Sequence, residues 1–259
     1  MFKRVTRVKS KFTNYDKKWK AIDAAPACEF IGEFRSRVRE ELEQVSYPTR
    51  RHEEWKYTNV KNLSEADYEA ASPLVLSSEQ IEKLTDPGCH NILITNGKVD
   101  PVSAADLNSI DGVVLTSFND YIQSSLPKAS ELWDACSTQF DTPFDRLNLS
   151  MLSDGFVLEI EKGLTLDKPI RIAHVCSSLE KNVTVQPRFL LVINDLADVT
   201  ICETIANLKE SKHFLNTVTD IFQKNRLKLI IQKLPKSHLA LLTSAQRKFI
   251  LKEMHPLAI

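Results

Sequence analysis

The sequence predicts an α+β protein in which a helical and mixed N-terminal part precedes a run of short β-strands. Two observations predict this fold class. Apolar residues recur every three or four positions between residues 27 and 45, as in an amphipathic helix. After Gly155 the apolar residues fall into six β-like runs about ten residues apart. This spacing indicates a β-sandwich or a β-solenoid, and the pattern alone does not choose between them.

The predicted elements follow in chain order after the helix at residues 27–45. The Asn96-Gly97 pair between apolar runs predicts a hairpin, because both residues tolerate the positive φ angles of a two-residue turn. One predicted helix, at residues 137–152, would present Phe140, Phe144, Leu147 and Met151 on one face. The other predicted helices span residues 78–83 and 119–125, and the predicted strands span residues 91–95, 112–116, 156–160, 170–175, 183–185, 189–193, 199–205 and 214–222.

Composition and charge exclude some classes of partner. The 259 residues hold 34 Lys and Arg against 34 Asp and Glu, so bulk charge gives no support for a nucleic-acid or acidic-membrane partner. The five cysteines are scattered, without a Cys-x-x-Cys pair, and predict reduced, mostly buried thiols of a cytoplasmic protein. Residues 1–26 are expected to form a basic N-terminal arm, or an organelle transit peptide if the source is eukaryotic. No apolar run is long enough to span a bilayer.

Catalytic motifs are missing from the sequence. It holds no phosphate-binding Gly-x-x-x-x-Gly-Lys-(Ser/Thr) loop, no Gly-x-Gly-x-x-Gly, no Gly-x-Ser-x-Gly and no His-Glu-x-x-His. His52 is a lone imidazole without a nearby cysteine, which disfavours a metal site there. These absences narrow the hypothesis that the chain is an enzyme, and we assign no catalytic, cofactor-binding or metal-binding residue.

Four residues of the β-region invite a functional interpretation. His174 and Cys176 are two positions apart on a predicted strand and point to one side, as a soft ligand pair would. The favoured interpretation is packing, with His174 hydrogen-bonded and Cys176 acting as a small apolar side chain. Cys202 and Glu203 are adjacent, so strand alternation sends them to opposite faces, where they cannot act together.

Residues 48–58, Pro-Thr-Arg-Arg-His-Glu-Glu-Trp-Lys-Tyr-Thr, are the most distinctive segment of the chain. Pro48 is expected to end the preceding helix, because its ring disfavours helical geometry at the residue before it. Trp55 and Tyr57 can bury their rings and keep a polar edge, while Arg50 and Arg51 offer forked donors to carboxylates. On residue chemistry alone the segment is an ordered connector.

This segment resembles the N-terminal signature of the SufB/SufD family of iron–sulfur cluster assembly scaffolds, and of its SufD-type members in particular. A second block, at residues 147–163, is similar to the family's Leu-Asn-x-Ala-x-x-x-Asp-Gly start of the β-domain. Asp167-Lys168-Pro169-Ile170 resembles a third family motif, acidic-x-Pro-Ile. The resemblance as a whole runs from about Phe30 to Gln223. It implies an N-terminal helical domain, a right-handed parallel β-helix and a C-terminal helical domain.

The resemblance also implies a function and partners. Family members act as a non-catalytic scaffold: a SufB-type subunit pairs with a SufD-type subunit through the β-helices, and the ATPase SufC binds the C-terminal helical domain. The SufD side is linked to the supply of iron. The cluster is expected transiently at the level of the complex, with no cofactor bound by this chain alone. The Cys and His positions implicated in the family lie beyond the matching residues, so none is transferred to this chain.

The match ends near residue 223, and residues 224–259 form a divergent, basic tail. We expect either a frameshift near residues 225–228, which would leave the β-helix incomplete and the C-terminal helical domain missing, or a genuine divergent end forming a basic helix. The predicted domains are the arm at residues 1–26, a helical and mixed domain at 27–152, the start of the β-helix at 153–223 and the tail at 224–259.

Two other functions remain open. A stand-alone interaction protein would dock a partner through the segment from Arg50 to Trp55. A carbohydrate-active enzyme on a β-helix would need clustered acids on adjacent turns of the solenoid, and Glu159, Glu161 and Glu203 are the available ones.

Overall fold

The chain folds into a mixed α/β structure of helices and two sheets. The computed structural model describes residues 25–42, 48, 50–51, 53, 56–57, 67–138, 143–153, 155–177, 182–207, 213–223, 228–231 and 242–250. The helices in this part of the chain are α1 Glu29–Leu42, α2 Ser78–Leu84, α3 Ala105–Asn108, α4 Phe118–Ser124, α5 Leu126–Thr138 and α6 Pro143–Ser150. The strands are β1 Glu69–Ala70, β2 His90–Thr95, β3 Lys98–Val99, β4 Val113–Ser117, β5 Phe156–Ile160, β6 Ile170–Cys176, β7 Val183–Val185, β8 Arg188–Ile193, β9 Thr200–Asn207, β10 His213–Gln223, β11 Lys228–Ile231 and β12 Leu242–Ile250.

The strands build two sheets. In the first sheet the order is β1-β7-β10-β8-β5-β4, with β12 also paired to β10. In the second sheet the order is β11-β9-β6-β2-β3. Strands β4 and β5 are antiparallel, as are β2 and β3, and the other neighbouring strands run parallel.

From β5 onward the chain winds between the two sheets. Strand β5 belongs to the first sheet, β6 to the second, β7 and β8 to the first, β9 to the second and β10 to the first. Each of these strands therefore runs parallel to the strand that the preceding winding contributes to the same sheet. Strand β8 lies beside β5 in this way, and β9 lies beside β6. We call the windings from β5 to β12 the coil.

Apolar side chains fill the space between the sheets and one outer face. The inner cluster includes Ile94 and Ile172 from the second sheet and Phe189 and Leu191 from the first. A second cluster joins the outer face of the first sheet to helices α1 and α5, and includes Phe34, Trp133, Val157, Leu190 and Phe222. Successive residues of a strand face opposite sides, so alternate residues of β8 supply the two clusters.

The N-terminal helix and the hairpin were predicted and are confirmed. Helix α1 buries Ile31, Phe34, Val38 and Leu42 on one face. Asn96 and Gly97 both have positive φ, 46° and 90°, in the turn that joins β2 to antiparallel β3. The Asn96 side chain fixes this turn, because its Nδ2 donates to the carbonyls of Ser72 and Ser177.

The helix predicted at residues 137–152 is wrong in its extent. Helix α5 ends at Thr138, and α6 runs from Pro143 to Ser150. The predicted span therefore covers the last residues of one helix and the whole of the next. Pro143 lies at the first position of α6, where proline is tolerated, whereas it is disfavoured inside a helix. Phe140 lies outside the described residues, whereas Phe144 and Leu147 are buried as expected. Most of α5 was not predicted.

Beyond residue 223 the two described runs are strands. Strand β11 pairs with β9, and β12 pairs with β10 in a nine-residue parallel register. The alternative that residues 224–259 form a basic helix is therefore wrong for these runs. The division into domains stays a prediction, although β1, β2 and β4 from its N-terminal part join the two sheets. Among the described helices, none has both the length and the apolarity required to cross a membrane.

Candidate functional site

A histidine and a glutamate meet between the two sheets of the coil. His174 on β6 donates from Nε2 to Oε1 of Glu203 on β9 across 2.8 Å. Their side chains are 1% and 9% exposed. The register pairs Ile172 with Glu203, so the glutamate lies diagonally across from His174 on the same face. The His174 ring also lies 5.4 Å from the ring of Phe189 on the facing sheet.

This pair confirms that His174 is a hydrogen-bonded core residue. Cys176 packs in a separate buried cluster with Val185 and Leu215 and does not join His174 in a ligand pair. Burial raises the pKa of the Cys176 thiol to about 12, which keeps it protonated and a poor metal ligand at neutral pH. Among the side chains the structure describes, no group of three or more His, Cys, Asp and Glu residues could hold a metal ion.

Cys202 and Glu203 diverge as strand alternation predicts. Glu203 is buried against His174, whereas Cys202 is partly exposed beside Arg171 in the strand register. From the sequence, Glu203 was considered as a neighbour of Cys202 and as one of three candidate acids, and its pairing with His174 was not predicted. The register of β6 against β9, which no local signal encodes, decides that pairing.

The three acids of the carbohydrate-enzyme alternative lie in three different environments. Glu159 accepts from Lys128 Nζ across 2.6 Å and from Asn194, while Glu203 is buried against His174. Glu161 is exposed in the turn after β5. Two carboxylates that flank a sugar bond must face one substrate, and Glu159 and Glu203 lie in different environments.

A buried polar network joins helix α6 to the coil. Arg188 Nη2 lies 2.6 Å from Asp220 Oδ2, and both side chains are fully buried. Burial acts to lower the pKa of the Arg188 guanidinium, but the carboxylates of Asp220 and Asp145 outweigh it and hold that pKa above its ordinary value. The Arg188 guanidinium therefore stays charged inside the protein.

Amides extend this network to the backbone. Asn148 accepts from Arg188 Nη1 across 3.3 Å, and its Nδ2 donates to the carbonyls of Pro187 and Asn216 at 2.9 and 2.8 Å. Asn216 Nδ2 in turn donates to the carbonyl of Phe144 at 2.9 Å. Asn148 and Gly155 belong to the second block singled out in the sequence, which thus forms a joint between helix and coil.

The segment at residues 48–58 is described in part. Pro48 is buried, whereas Arg50, Arg51 and Lys56 are exposed. Tyr57 is 92% exposed, with Lys56 Nζ 5.6 Å from its ring centroid. His52 and Trp55 lie outside the described residues. Exposed arginines and a tyrosine are residue types that interfaces favour, so docking through this segment stays a prediction.

A cleft lies beside the hairpin at the start of the coil. Its volume is about 310 Å³, with Phe156, Leu115 and Ala104 in its apolar lining and Lys98 and Asn108 among its polar residues. Its size is at the lower limit of small-molecule sites. Gly97 of the predicted hairpin lines this cleft, but His174, Cys176, Cys202 and Glu203 do not.

Comparison with known proteins identifies the family to which the chain is related. The family model described as the SufBD protein N-terminal region matches residues 7–172, more than half of the chain. The chain is also 23% identical over 191 residues to the iron-sulfur cluster assembly SufBD family protein slr0076 of Synechocystis sp.. That match covers 70% of this chain and 42% of the relative, so the chain spans less than half the length of that protein.

Proposed function

Because the chain belongs to the SufBD family, we propose that it is a non-catalytic scaffold subunit for iron–sulfur cluster assembly. Membership of the family suggests a role in this process. The match over residues 7–172 is the observation that carries the proposal. The contacts of the buried polar residues agree with a structural role, because His174 pairs with Glu203 and, separately, Arg188 pairs with Asp220.

We further propose that the coil is a right-handed parallel β-helix. Its support is the way β5, β6, β8, β9 and β10 alternate between two sheets and stack in parallel on the strands of the preceding winding. In such a solenoid each winding contacts only its neighbours. A scaffold gains from this arrangement a long, rigid surface for partners.

The proposed partners are a SufB-type subunit, which would pair with this SufD-like chain through the coil, and the ATPase SufC. The cluster would form transiently on the complex, with iron supplied on the side of this chain, and the work would take place in the cytoplasm. Support for these partners is the family relationship alone. The match covers 42% of the relative, so the function of the whole relative is only proposed for this chain.

Anaerobic co-purification tests the scaffold function. The tagged chain is expressed together with a SufB-type subunit, the ATPase and a cysteine desulfurase, and the eluate is analysed by mass spectrometry and by iron and sulfide content. We expect the SufB-type subunit or the ATPase to co-elute in stoichiometric amount. Elution of the chain alone, while the other subunits form their own complex in the same extract, would contradict the proposal.

The same experiment separates the interaction-module alternative. Arg50, Arg51 and Tyr57 are exposed, so the variant Arg50→Ala/Arg51→Ala/Tyr57→Ala should fold normally. Its matched control is Arg37→Ala, which removes an exposed arginine from helix α1. If the triple variant loses partners other than the assembly subunits and the control keeps them, the segment is a docking site of its own. No contact in the described residues favours the carbohydrate-active enzyme.

A further inference from the structure

His90 lies between two carboxylates at one corner of the coil. Its Nδ1 is 2.7 Å from Oδ2 of Asp106, and its Nε2 is 3.5 Å from Oδ1 of Asp167. The His90 side chain is 7% exposed, whereas the side chains of Asp106 and Asp167 are 64% and 83% exposed. The imidazole is therefore fixed in the protein, with one edge directed at an exposed acid.

The hydrogen bond to Asp106 determines which nitrogen carries the proton in the neutral ring. A proton on Nδ1 donates to Asp106, which leaves a lone pair on Nε2. Buried Nε2 has no hydrogen-bond partner, and the atom it faces is a carboxylate oxygen of Asp167. Two electron-rich atoms in this position repel each other unless a positive charge lies between them.

The separation of these two atoms fits a shared metal ion better than a hydrogen bond. Protein N–H···O bonds are about 2.7–3.2 Å long. Nitrogen and oxygen ligands that sit about 2.0–2.2 Å from one tetrahedral ion are about 3.4 Å apart. The observed distance is 3.5 Å. An imidazole that donates its other N–H to a carboxylate is also the usual arrangement of a metal-binding histidine.

The surrounding turns carry an excess of negative charge. The turn after β5, the turn after β8 and the residues around α3 are stacked by backbone hydrogen bonds, among them Gly163 N to the carbonyl of Asp195 and Glu161 N to the carbonyl of Gly112. We call this region the acidic corner. It holds the acids Asp106, Asp111, Glu161, Asp167, Asp195 and Asp198 beside Lys162 and Lys168. Such an excess attracts cations from solution.

We propose that His90 Nε2 and Asp167 bind a divalent transition-metal cation, with Asp106 orienting the imidazole. Two protein ligands leave the remaining positions to water, so the ion exchanges readily and is not a resident cofactor. Imidazole suits borderline ions such as Zn²⁺, and carboxylate and water also suit the harder Mn²⁺, which would bind these donors more weakly. The site needs no partner subunit, so it stands or falls independently of the scaffold function proposed above.

Paramagnetic broadening by Mn²⁺ tests this site residue by residue. The full chain is labelled with ¹⁵N-histidine, and MnCl₂ is titrated while the imidazole signals of the six histidines are followed. We expect the His90 signals to broaden at a lower Mn²⁺ concentration than the other five. Asp167→Asn should remove this preference, and Asp106→Asn should raise the Mn²⁺ concentration needed by about 10- to 100-fold.

The control is Asp195→Asn, which removes one charge from the acidic corner and leaves both ligands in place. Asp167 is 83% exposed, so its asparagine variant should fold, and far-UV circular dichroism checks this. Broadening that shows no preference for His90 would overturn the proposal and leave a proton on Nε2 as the charge between the two atoms. Equal losses in Asp167→Asn and Asp195→Asn would also overturn it, because only the diffuse field of the corner would then attract Mn²⁺.

Discussion

Arg188 and Asp220 form an ion pair, 2.6 Å between Nη2 and Oδ2, in which neither side chain is exposed to solvent. The pair connects β8 with β10 in the parallel register that pairs Leu190 with Asp220, and it lies under helix α6. A charge left unpaired in such a place is costly, because it has lost its hydration. The pair therefore fixes the joint between the helices and the coil.

Asp220→Ala should lower the free energy of unfolding by about 3–5 kcal/mol, the usual cost of breaking a buried pair from one side. Arg188→Met/Asp220→Leu should be more stable than Asp220→Ala, since neither member of the pair is then left buried without the other. The control is Asp134→Ala, because Asp134 and Arg37 are 3.9 Å apart and more than half exposed. That change should lower the free energy of unfolding, measured in urea, by less than about 1 kcal/mol. Equal costs for Asp220→Ala and Asp134→Ala would show that the pair is solvated.

Two stacked turns of the coil have different residue types at the position with positive φ. Gly163 has a φ of 75° in the turn between β5 and β6, and Leu196 has a φ of 60° in the turn between β8 and β9. A left-handed conformation costs a leucine about 1–2 kcal/mol and costs a glycine little. Leu196 is also 70% exposed, so it contributes little packing in return.

Leu196→Gly should therefore stabilise the protein by about 1 kcal/mol, once the greater freedom of glycine in the unfolded chain is deducted. The reverse change, Gly163→Ala, should destabilise it by about 1 kcal/mol. No atom lies within 4 Å of a Cβ built on Gly163, so this cost would come from the backbone alone. Thermal unfolding of both variants measures the two effects, and a destabilised Leu196→Gly would mean that the leucine side chain makes a valuable contact.

Strands β5 to β10 of the coil could be predicted from sequence because each is a short apolar run bounded by polar turns, whereas β11 and β12 were not predicted. The predicted runs at residues 156–160 and 183–185 coincide with β5 and β7, and the others end within two residues of the observed strands. Membership of the SufBD family was also predicted, from three short segments, and is confirmed by the match over residues 7–172. Assignment to the SufD type stays a prediction.

What could not be predicted depends on contacts between distant parts of the chain. His174 and Glu203 are 29 positions apart, and only the register of β6 against β9 brings them together. His90 meets Asp106 and Asp167 because α3 and the turn after β5 converge on one corner. Helix α5 was missed for a local reason, since Pro127 suggests a break but lies in the first turn, where proline is tolerated.

Gly155 should tolerate no side chain. A Cβ at this position would overlap the carbonyl oxygen of Arg188 and the ring of Phe118. Both are buried, so neither can move aside easily. Gly155→Ala should lower the free energy of unfolding by about 3 kcal/mol, as overpacking in a core does. Gly163→Ala is its control, because it adds the same methyl group in open space. Equal effects of the two substitutions would show that the joint around Phe118 can relax.

The stability of the protein should fall at alkaline pH, and Cys176 should account for part of that fall. Burial raises the pKa of its thiol from 9.0 to about 12, so the folded chain holds a proton that the unfolded chain releases. The stability contributed by this group is complete below pH 9 and is lost as the pH rises toward 12. The slope for one such proton is about 1.4 kcal/mol per pH unit. Burial also raises the pKa of Tyr68 and Tyr121, but tyrosine adds its own slope only from about pH 10 upward.

Urea unfolding under reducing conditions between pH 8.5 and pH 10 isolates the contribution of Cys176. Cys176→Ala should be less stable than the unmodified chain at pH 8.5, because it leaves a small cavity beside Val185 and Leu215. Its stability should then fall less steeply with pH, since the thiol is gone. Cys202→Ala is the control, because Cys202 lies on the outer face of the same sheet and is partly exposed. An unchanged slope in Cys176→Ala would mean that the thiol reaches solvent before the protein unfolds.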